Sequence, residues 1–450
     1  MTKKGEMKMY DRREILKSFE ENKDYINKRV SEGIEKNRKG KVTLKIVDEN
    51  GNAKSGIKVE IKQKSHSFKY GANIFMLDEF ESEEKNKIYR ERFKEICNIA
   101  TLPFYWKDLE PTEGKPRFSK ESEKVYRRPA LDLCMEYCKE NRIEPKEHCL
   151  VYETWMPEWL DKNNLSLMKE KYEERIRILA EHYGEHIPVW EVTNETLYFW
   201  KDSSVLYNQP DLIEWSFKCA EKYLGKNRLL INDAHCNIWN VFNGNRSQYY
   251  MQIERAIAKG ARIDGIGLQF HMFFNKEDEK KETELFYDPL HLYKVLDCYS
   301  DFGKPLSITE LTIPAYSQNE EDEAIQAEIM RYLYTIWFGH ENVEAIIYWN
   351  LVDGYAAFAP QGDMTAGENY YHGGLMRFDM TPKPAFYTIR DLFEKQWHTE
   401  EILCTDTDGK SVFSGFYGDY EINILANEKH VCEHITLSKE KLEDVQIIVR

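Results

Sequence analysis

Between about residues 68 and 397 one theme recurs: a short apolar run, a polar turn, then a longer stretch with apolar residues at helical period. The apolar runs fall at 68–75, 98–105, 145–152, 188–195, 228–234, 265–271, 306–313 and 344–350. Strand-length runs alternating with helical patterns in this number predict a closed (β/α)8 TIM barrel over 68–397, not an open sheet. Upstream, Ile15, Phe19, Ile26, Val30 and Ile34 recur at helical spacing, which predicts one amphipathic helix over 11–38 within an N-terminal segment 1–40. In 41–67, two alternating runs flank Asn50-Gly51 and Gly56, the pattern of a β-hairpin with tight turns. The glycine-punctuated alternation of DTDGKSVFSGFYGDYEINI predicts a small β module over 398–450. Because a lone hairpin is marginal in water, these accessory β modules at both ends are expected to touch each other or the barrel wall.

Charge and composition narrow the partners. The formal net charge of −15 and pI near 5.5 argue against nucleic acid. Charges interrupt every hydrophobic run, so no membrane span is expected. The first thirty residues lack an apolar core and a cleavage site, from which a cytoplasmic location is expected. Nine cysteines without framework spacing read as reduced thiols and not as a disulfide scaffold. The histidines form no HExxH or comparable set, so neither metal nor cofactor is expected. The sequence carries no reading of the oligomeric state.

Chemistry in such barrels projects from the carboxyl ends of strands. Pro188-Val189-Trp190-Glu191-Val192-Thr193 runs into Asn194-Glu195, and Leu306-Ser307-Ile308-Thr309 delivers Glu310, at the ends of the fourth and seventh barrel strands. Two carboxylates across one cleft can divide acid and nucleophile work on a glycosidic bond, because their environments can push their pKa values apart. The plainer reading of either glutamate is a helix cap or an ion-pair partner.

WEVTNE ending in Glu195, ITEL around Glu310, GIGLQFH (265–271), WNLVD (349–353) and HGGLMRFDMTPKPAFYTI (372–389) together resemble glycoside hydrolase family 10, the endo-β-1,4-xylanases. The resemblance implies a retaining hydrolase of β-linked oligosaccharides, with β-1,4-xylan fragments the default substrate, Glu195 the acid/base and Glu310 the nucleophile. It further implies that Asn194 bonds the 2-hydroxyl of the sugar at −1 and that His148 lies in the same subsite. Gln269 and His271 would sit by the nucleophile, Lys107 would contact sugar hydroxyls and Trp349 would form an aromatic floor. Asn232 and Asp233 fit the pattern of the fifth strand.

Each of these has a plainer alternative. His148 and His271 could be hydrogen-bonded core histidines, and Trp349 could be core. Tyr152, Trp155 and Trp159 fit a cleft stripe and a packed loop equally well. The departures from the family bear on substrate. Pro103 and Phe104 stand where a Glu-Asn pair is usual, LVYETW replaces LVWHSQ, and Phe358 falls where a second Trp is usual. Phe104, with Tyr152 and Trp155, is expected to narrow the glycone side and to weaken action on polymeric xylan. The alternatives are a β-glycosidase of the same mechanism on another or decorated glycan, and a catalytically retired carbohydrate-binding or sensing protein.

Overall fold

The computed structural model describes residues 11–198, 203–426, 429–439 and 444–449. Residues 1–10 of the predicted helical segment, and 427–428, 440–443 and 450 of the predicted C-terminal module, lie outside the described residues. The chain divides into two units, one built from residues up to Lys23, Tyr70–Tyr334 and Asn342–Tyr387, the other from Asp24–Lys69, Thr335–Glu341 and Thr388 onward.

The expected single N-terminal helix is broken. A 3-10 turn at Arg12–Leu16 and a short helix at Lys17–Glu21 precede a separate helix at Lys23–Asn37. Asn22 makes the break: its backbone N–H and its side-chain amide both donate to Ser18 O, which ends the helix locally. Strands β1 (Lys39–Val47) and β2 (Lys58–Gln63) follow.

The first unit carries the closed barrel that the apolar pattern predicts. Its strands are β3 (Lys69–Asn73), β4 (Ile99–Pro103), β5 (Glu144–His148), β6 (Val189–Asn194), β7 (Arg228–Asp233), β8 (Gly265–His271), β9 (Leu306–Thr312) and β10 (Val343–Tyr348). They close in chain order, with β10 beside β3, and from β3 through β10 each strand runs parallel to the next. Helices lie between the strands, among them Glu83–Ile96, Leu165–Tyr183 and Pro289–Ser300. Local chemistry starts each of these three: Ser82, Asn164 and Asp288 accept from a backbone N–H of the first turn, and Pro289 occupies the first helical position. Several strands, including β4, β6, β8 and β9, are buried along their whole length, as strands covered on both faces must be.

The second unit corrects the hairpin expected at 41–67. Strands β1 and β2 do not pair; with β11 (Glu400–Cys404), β12 (Lys410–Phe416), β13 (Gly418–Ala426), β14 (Lys429–Leu437) and β15 (Val445–Ile448) they enter different sheets, ordered β12-β1-β15 and β11-β2-β13-β14. The alternating burial of β2 fixes which face is inward but not which strand lies alongside, so sequence alternation alone left the partner open. Val42, Leu44 and Ile46 of β1 share one buried cluster with Val59, Ile61, Phe413, Ile422 and Ile424. All nine cysteines are free thiols. Among the described residues no helix is long and apolar enough to cross a membrane.

Candidate active site

Two irregularities in barrel pairing place the polar side chains at its mouth. The β6–β7 register shifts between Glu191 and Thr193, and the β8–β9 register shifts between Gly267 and Gln269. Such bulges re-aim the residues that follow them. Beyond these shifts Asn194, Glu195, Gln269, His271 and Glu310 converge on one cleft of about 590 Å³, within the roughly 300–1,000 Å³ range of small-molecule sites. Glu195 holds a backbone φ of 53°, a conformation uncommon outside glycine and one that clusters at functional sites.

Gln269 sets the distance between the two carboxylates. Its Nε2 donates to Glu195 Oε1 at 3.0 Å and to Glu310 Oε1 at 2.9 Å. Those oxygens are therefore no farther apart than the sum of the two bonds, short of the roughly 6.5 Å at which a water fits between them for inversion. Glu195 accepts a second bond from the Tyr152 hydroxyl at 2.7 Å. Glu310 is held by three donors, adding Asn232 Nδ2 at 3.0 Å and His271 Nε2 at 3.1 Å.

These contacts sort the protonation states. Burial, then the negative Glu310, pushes Glu195 up to about 7. Burial raises Glu310 to about 7 as well, with Glu191 adding to the rise and the His148 and Lys146 charges working against it, so it is the hydrogen bonds that tell the two apart. Two close carboxyls of this kind share one proton near neutrality. With three donors against two, Glu310 is the better-stabilised anion, so the proton resides on Glu195. Burial lowers His271 to about 4, so it is neutral at pH 7. A neutral ring bonded to Glu310 donates from Nε2 and accepts the Thr312 hydroxyl at Nδ1, 3.0 Å away.

Beneath the pair, fully buried Asn232 donates to Glu191, Asn194 Oδ1 and Glu310 and accepts from Thr309. Asn194 accepts at Oδ1 from both Asn232 and Gln269, which leaves its amide N–H groups for a ligand in the cleft it lines. A Cβ at Gly267 would stand 2.4 Å from Asn232 Oδ1. Gly267→Ala is therefore expected to fold yet lose on the order of 10²-fold in turnover, because Asn232 must shift and carries Glu310 with it. Steady-state kinetics beside a thermal melt check this; unchanged turnover would mean that Asn232 does not position the carboxylate.

Of the side chains expected from sequence, Glu195, Glu310, Asn194, Gln269, His271, Trp349, Tyr152 and Trp155 line the cleft, whereas Lys107 and His148 do not. Pro103 ends β4 and a helical turn at Trp106–Leu109 follows, which swings Lys107 outward onto the exposed Glu158 at 2.8 Å. Tyr105, two residues earlier, faces the cleft instead. His148 is a buried histidine bonded to the Tyr105 hydroxyl at 3.0 Å and to Glu191 at 2.8 Å. Phe104 overturns the expectation that it narrows the cleft. It is fully buried and packs edge-on against Tyr183 and Trp190. Trp159 belongs to a packed loop, edge-on to Trp106 and donating to Glu110 O. Phe75, Arg127, Arg128, His235 and Glu368 also line the cleft. Phe75 closes the first apolar run, just past β3, and the other four sit in connecting segments where no periodicity marks them.

Among the described residues two groups bring three potential metal-ligand atoms within 4.8 Å of one another. In His148, Cys149 and Glu191 the place of a cation is taken by Lys146, bonded to Glu191 at 2.5 Å. Glu421, Cys432 and His434 lie in the second unit, with Cys432 and His434 exposed.

The model of glycosyl hydrolase family 10 matches residues 62–392. The chain is 24% identical over 421 residues to the anti-sigma-I factor RsgI6 of Acetivibrio thermocellus, covering 90% of this chain and 47% of that protein. It is 26% identical over 349 residues to endo-1,4-beta-xylanase B of Thermotoga neapolitana, covering 73% of this chain and 88% of that one. The crystal structure of xylanase 10B from Thermotoga petrophila RKU-1 in complex with xylobiose superposes with a TM-score of 0.57 at 23% identity, over 73% of this chain and 95% of that one. Several of the matched curated relatives are longer, and the chain spans about half their length or less.

Proposed function

Because the chain belongs to glycosyl hydrolase family 10, we propose that it is a retaining β-glycosidase acting on β-linked oligosaccharides, with β-1,4-xylan fragments the default substrate. The observation that carries this reading is the Gln269 clamp, which holds Glu195 and Glu310 at a spacing that suits double displacement. Glu310 attacks the anomeric carbon while Glu195 gives its proton to the departing glycosidic oxygen, leaving a glycosyl ester on Glu310. Glu195, now a carboxylate, takes a proton from water, whose oxygen displaces Glu310 and regenerates both groups. Asn194 offers its amide to the sugar at −1, and neutral His271 with Asn232 keeps Glu310 ionised and oriented. A product assay over a panel of β-linked oligosaccharides, with Glu310→Ala as the blank, tests the reading. A relative named as an anti-sigma factor accords with a second, non-catalytic reading, a carbohydrate-binding or sensing protein, which binding without turnover in the same assay would support.

The protonation states predict a bell-shaped rate profile, falling on the alkaline side as Glu195 loses its proton near pH 7. Stability follows with a defined sign. A carboxyl whose folded pKa is raised stabilises the fold below its unfolded pKa, about 4.3 for glutamate, and that contribution is lost as pH rises through about 7. Glu195→Gln stays neutral throughout. Its stability relative to the native protein should therefore gain about 1–2 kcal/mol between pH 4 and pH 8, the lower end reflecting partial exposure to the cleft. Urea unfolding at the two pH values checks this, and a pH-independent difference would contradict it.

A further inference from the structure

Arg127 and Arg128 line the cleft on the segment after β4, each about 5% exposed. The backbone N–H of Arg128 donates to Val125 O at 2.8 Å, closing a tight turn with Arg127 at its third position. There Arg127 holds a φ of 62°, the conformation for which such turns take glycine or asparagine. An arginine kept at a strained position beside a cleft is the pattern already seen at Glu195.

The two guanidinium groups differ in how their charge is met. Arg128 Nε pairs with Asp108 at 2.7 Å, and the guanidinium lies over the rings of Tyr105 and Trp155 at 4.3 and 4.7 Å. Arg127 makes no ion pair among the described residues. It donates to Tyr355 O and, at 3.1 Å, to Asn350 Oδ1, and its buried Nε has no partner among the described residues. Burial works against its charge, and the acidic group that supports it is Glu368. Asn350 stands between them, accepting from Arg127 and donating to Glu368 at 3.0 Å. Five guanidinium N–H groups with two protein acceptors leave capacity for a further one, and a planar carboxylate is the acceptor that best matches it. A buried charge left without a partner is costly, which makes a ligand anion a favourable complement.

Position assigns the side of the scissile bond. Glu195, which protonates the leaving oxygen, follows the fourth barrel strand, and Tyr198 and His235 line the cleft beyond it. The arginines follow the second strand, and Arg128 lies over Phe75, Tyr105 and Trp155. They therefore face the glycone. Resting on the β-glycosidase reading of the cleft, we propose that the glycone carries a carboxylate, as a uronic acid or a uronosyl substituent, and that this carboxylate pairs with Arg127. Of the other acidic groups facing the cleft, ionised Glu368 and Glu310 oppose an anion while Glu195 holds its proton, so the pairing is local to the arginine side.

The test separates binding from turnover. With the full chain carrying Glu310→Gln, calorimetric titration compares xylotriose, the same trisaccharide bearing glucuronic acid on its non-reducing xylose, and the carboxyl-reduced form of the latter. The acidic ligand is expected to bind at least tenfold more tightly than either neutral one, with the advantage shrinking in high salt. Arg127→Gln should remove that advantage while leaving the neutral ligands within about threefold. Glu368→Gln, which removes the opposing charge, should tighten the acidic ligand alone. Equal affinity for acidic and reduced ligands overturns the proposal, as does an equal loss for all three in a folded Arg127→Gln. If Arg127→Gln does not fold, Glu368→Gln decides: no selective gain for the acidic ligand overturns it. Absence of turnover by the native protein with the binding preference intact would overturn the hydrolase reading and leave this one standing.

Discussion

Glu310→Gln is expected to lower turnover of every glycoside by on the order of 10⁴-fold or more, since an amide cannot form the glycosyl ester on which the second step depends. The result should be independent of leaving group. Glu195→Ala should behave differently. An activated aryl glycoside needs little protonation, so its first step survives, while the second step lacks the base that activates water. The variant should show a burst of aryl release followed by slow turnover, with the glycosyl-enzyme accumulating. An external nucleophile such as azide, which needs no general base, should restore turnover of Glu195→Ala and not of Glu310→Gln. Both variants are expected to keep the barrel intact, because among the described residues neither carboxylate pairs with a lysine or arginine.

The second large effect is on stability and lies beneath the catalytic pair. Lys146 and Glu191, each no more than 2% exposed, bond at 2.5 Å inside the barrel, and Glu191 also receives His148 and Asn232. Burial pushes Glu191 up, but the Lys146 charge and then His148 outweigh it and hold the carboxyl below its ordinary range. Lys146→Met strands that carboxylate. The expected loss is about 3–5 kcal/mol, the range for breaking one side of a buried pair. Lys146→Met with Glu191→Gln should recover much of it, because no buried charge remains. A depressed carboxyl stabilises the fold above its unfolded pKa and is lost as pH falls, so the acid limb of the native stability curve should flatten in Lys146→Met. Denaturant unfolding of the native protein and both variants measures this; equal losses in the single and double variants would contradict the pairing argument.

How much of this was legible in sequence depended on periodicity. Strand ends are marked by the apolar run that precedes them, which singles out Asn194-Glu195 and Glu310, while Gln269 and His271 follow from the resemblance carried by GIGLQFH; the structure places them in one cleft. Where the chain leaves a strand, sequence spacing stops reporting direction. Phe104 and Tyr105 are adjacent, yet one packs against Tyr183 and Trp190 while the other reaches the cleft, and the turn at Trp106–Leu109 sends Lys107 to Glu158. His148 was visible as a strand-end histidine, but its burial against Glu191 depends on a residue 43 positions away. Arg127 was invisible for another reason: a polar loop reads as solvated, and only the turn closed by Val125 and Arg128 carries its side chain inward. The β1 and β2 strands carried the right inward faces and the wrong expected partner, because alternation encodes burial and not neighbours.

The central claim is that Glu310 carries the glycosyl group in a covalent intermediate. Reaction of the native protein with a 2,4-dinitrophenyl 2-deoxy-2-fluoro-β-glycoside, in which the fluorine slows both steps and the activated leaving group restores the first, should trap that species. Intact-mass spectrometry should then report one added fluoroglycosyl unit per chain, and peptide mapping should place it on Glu310. Turnover of the unmodified glycoside without any trapped adduct, or a label on any other residue, would contradict the account.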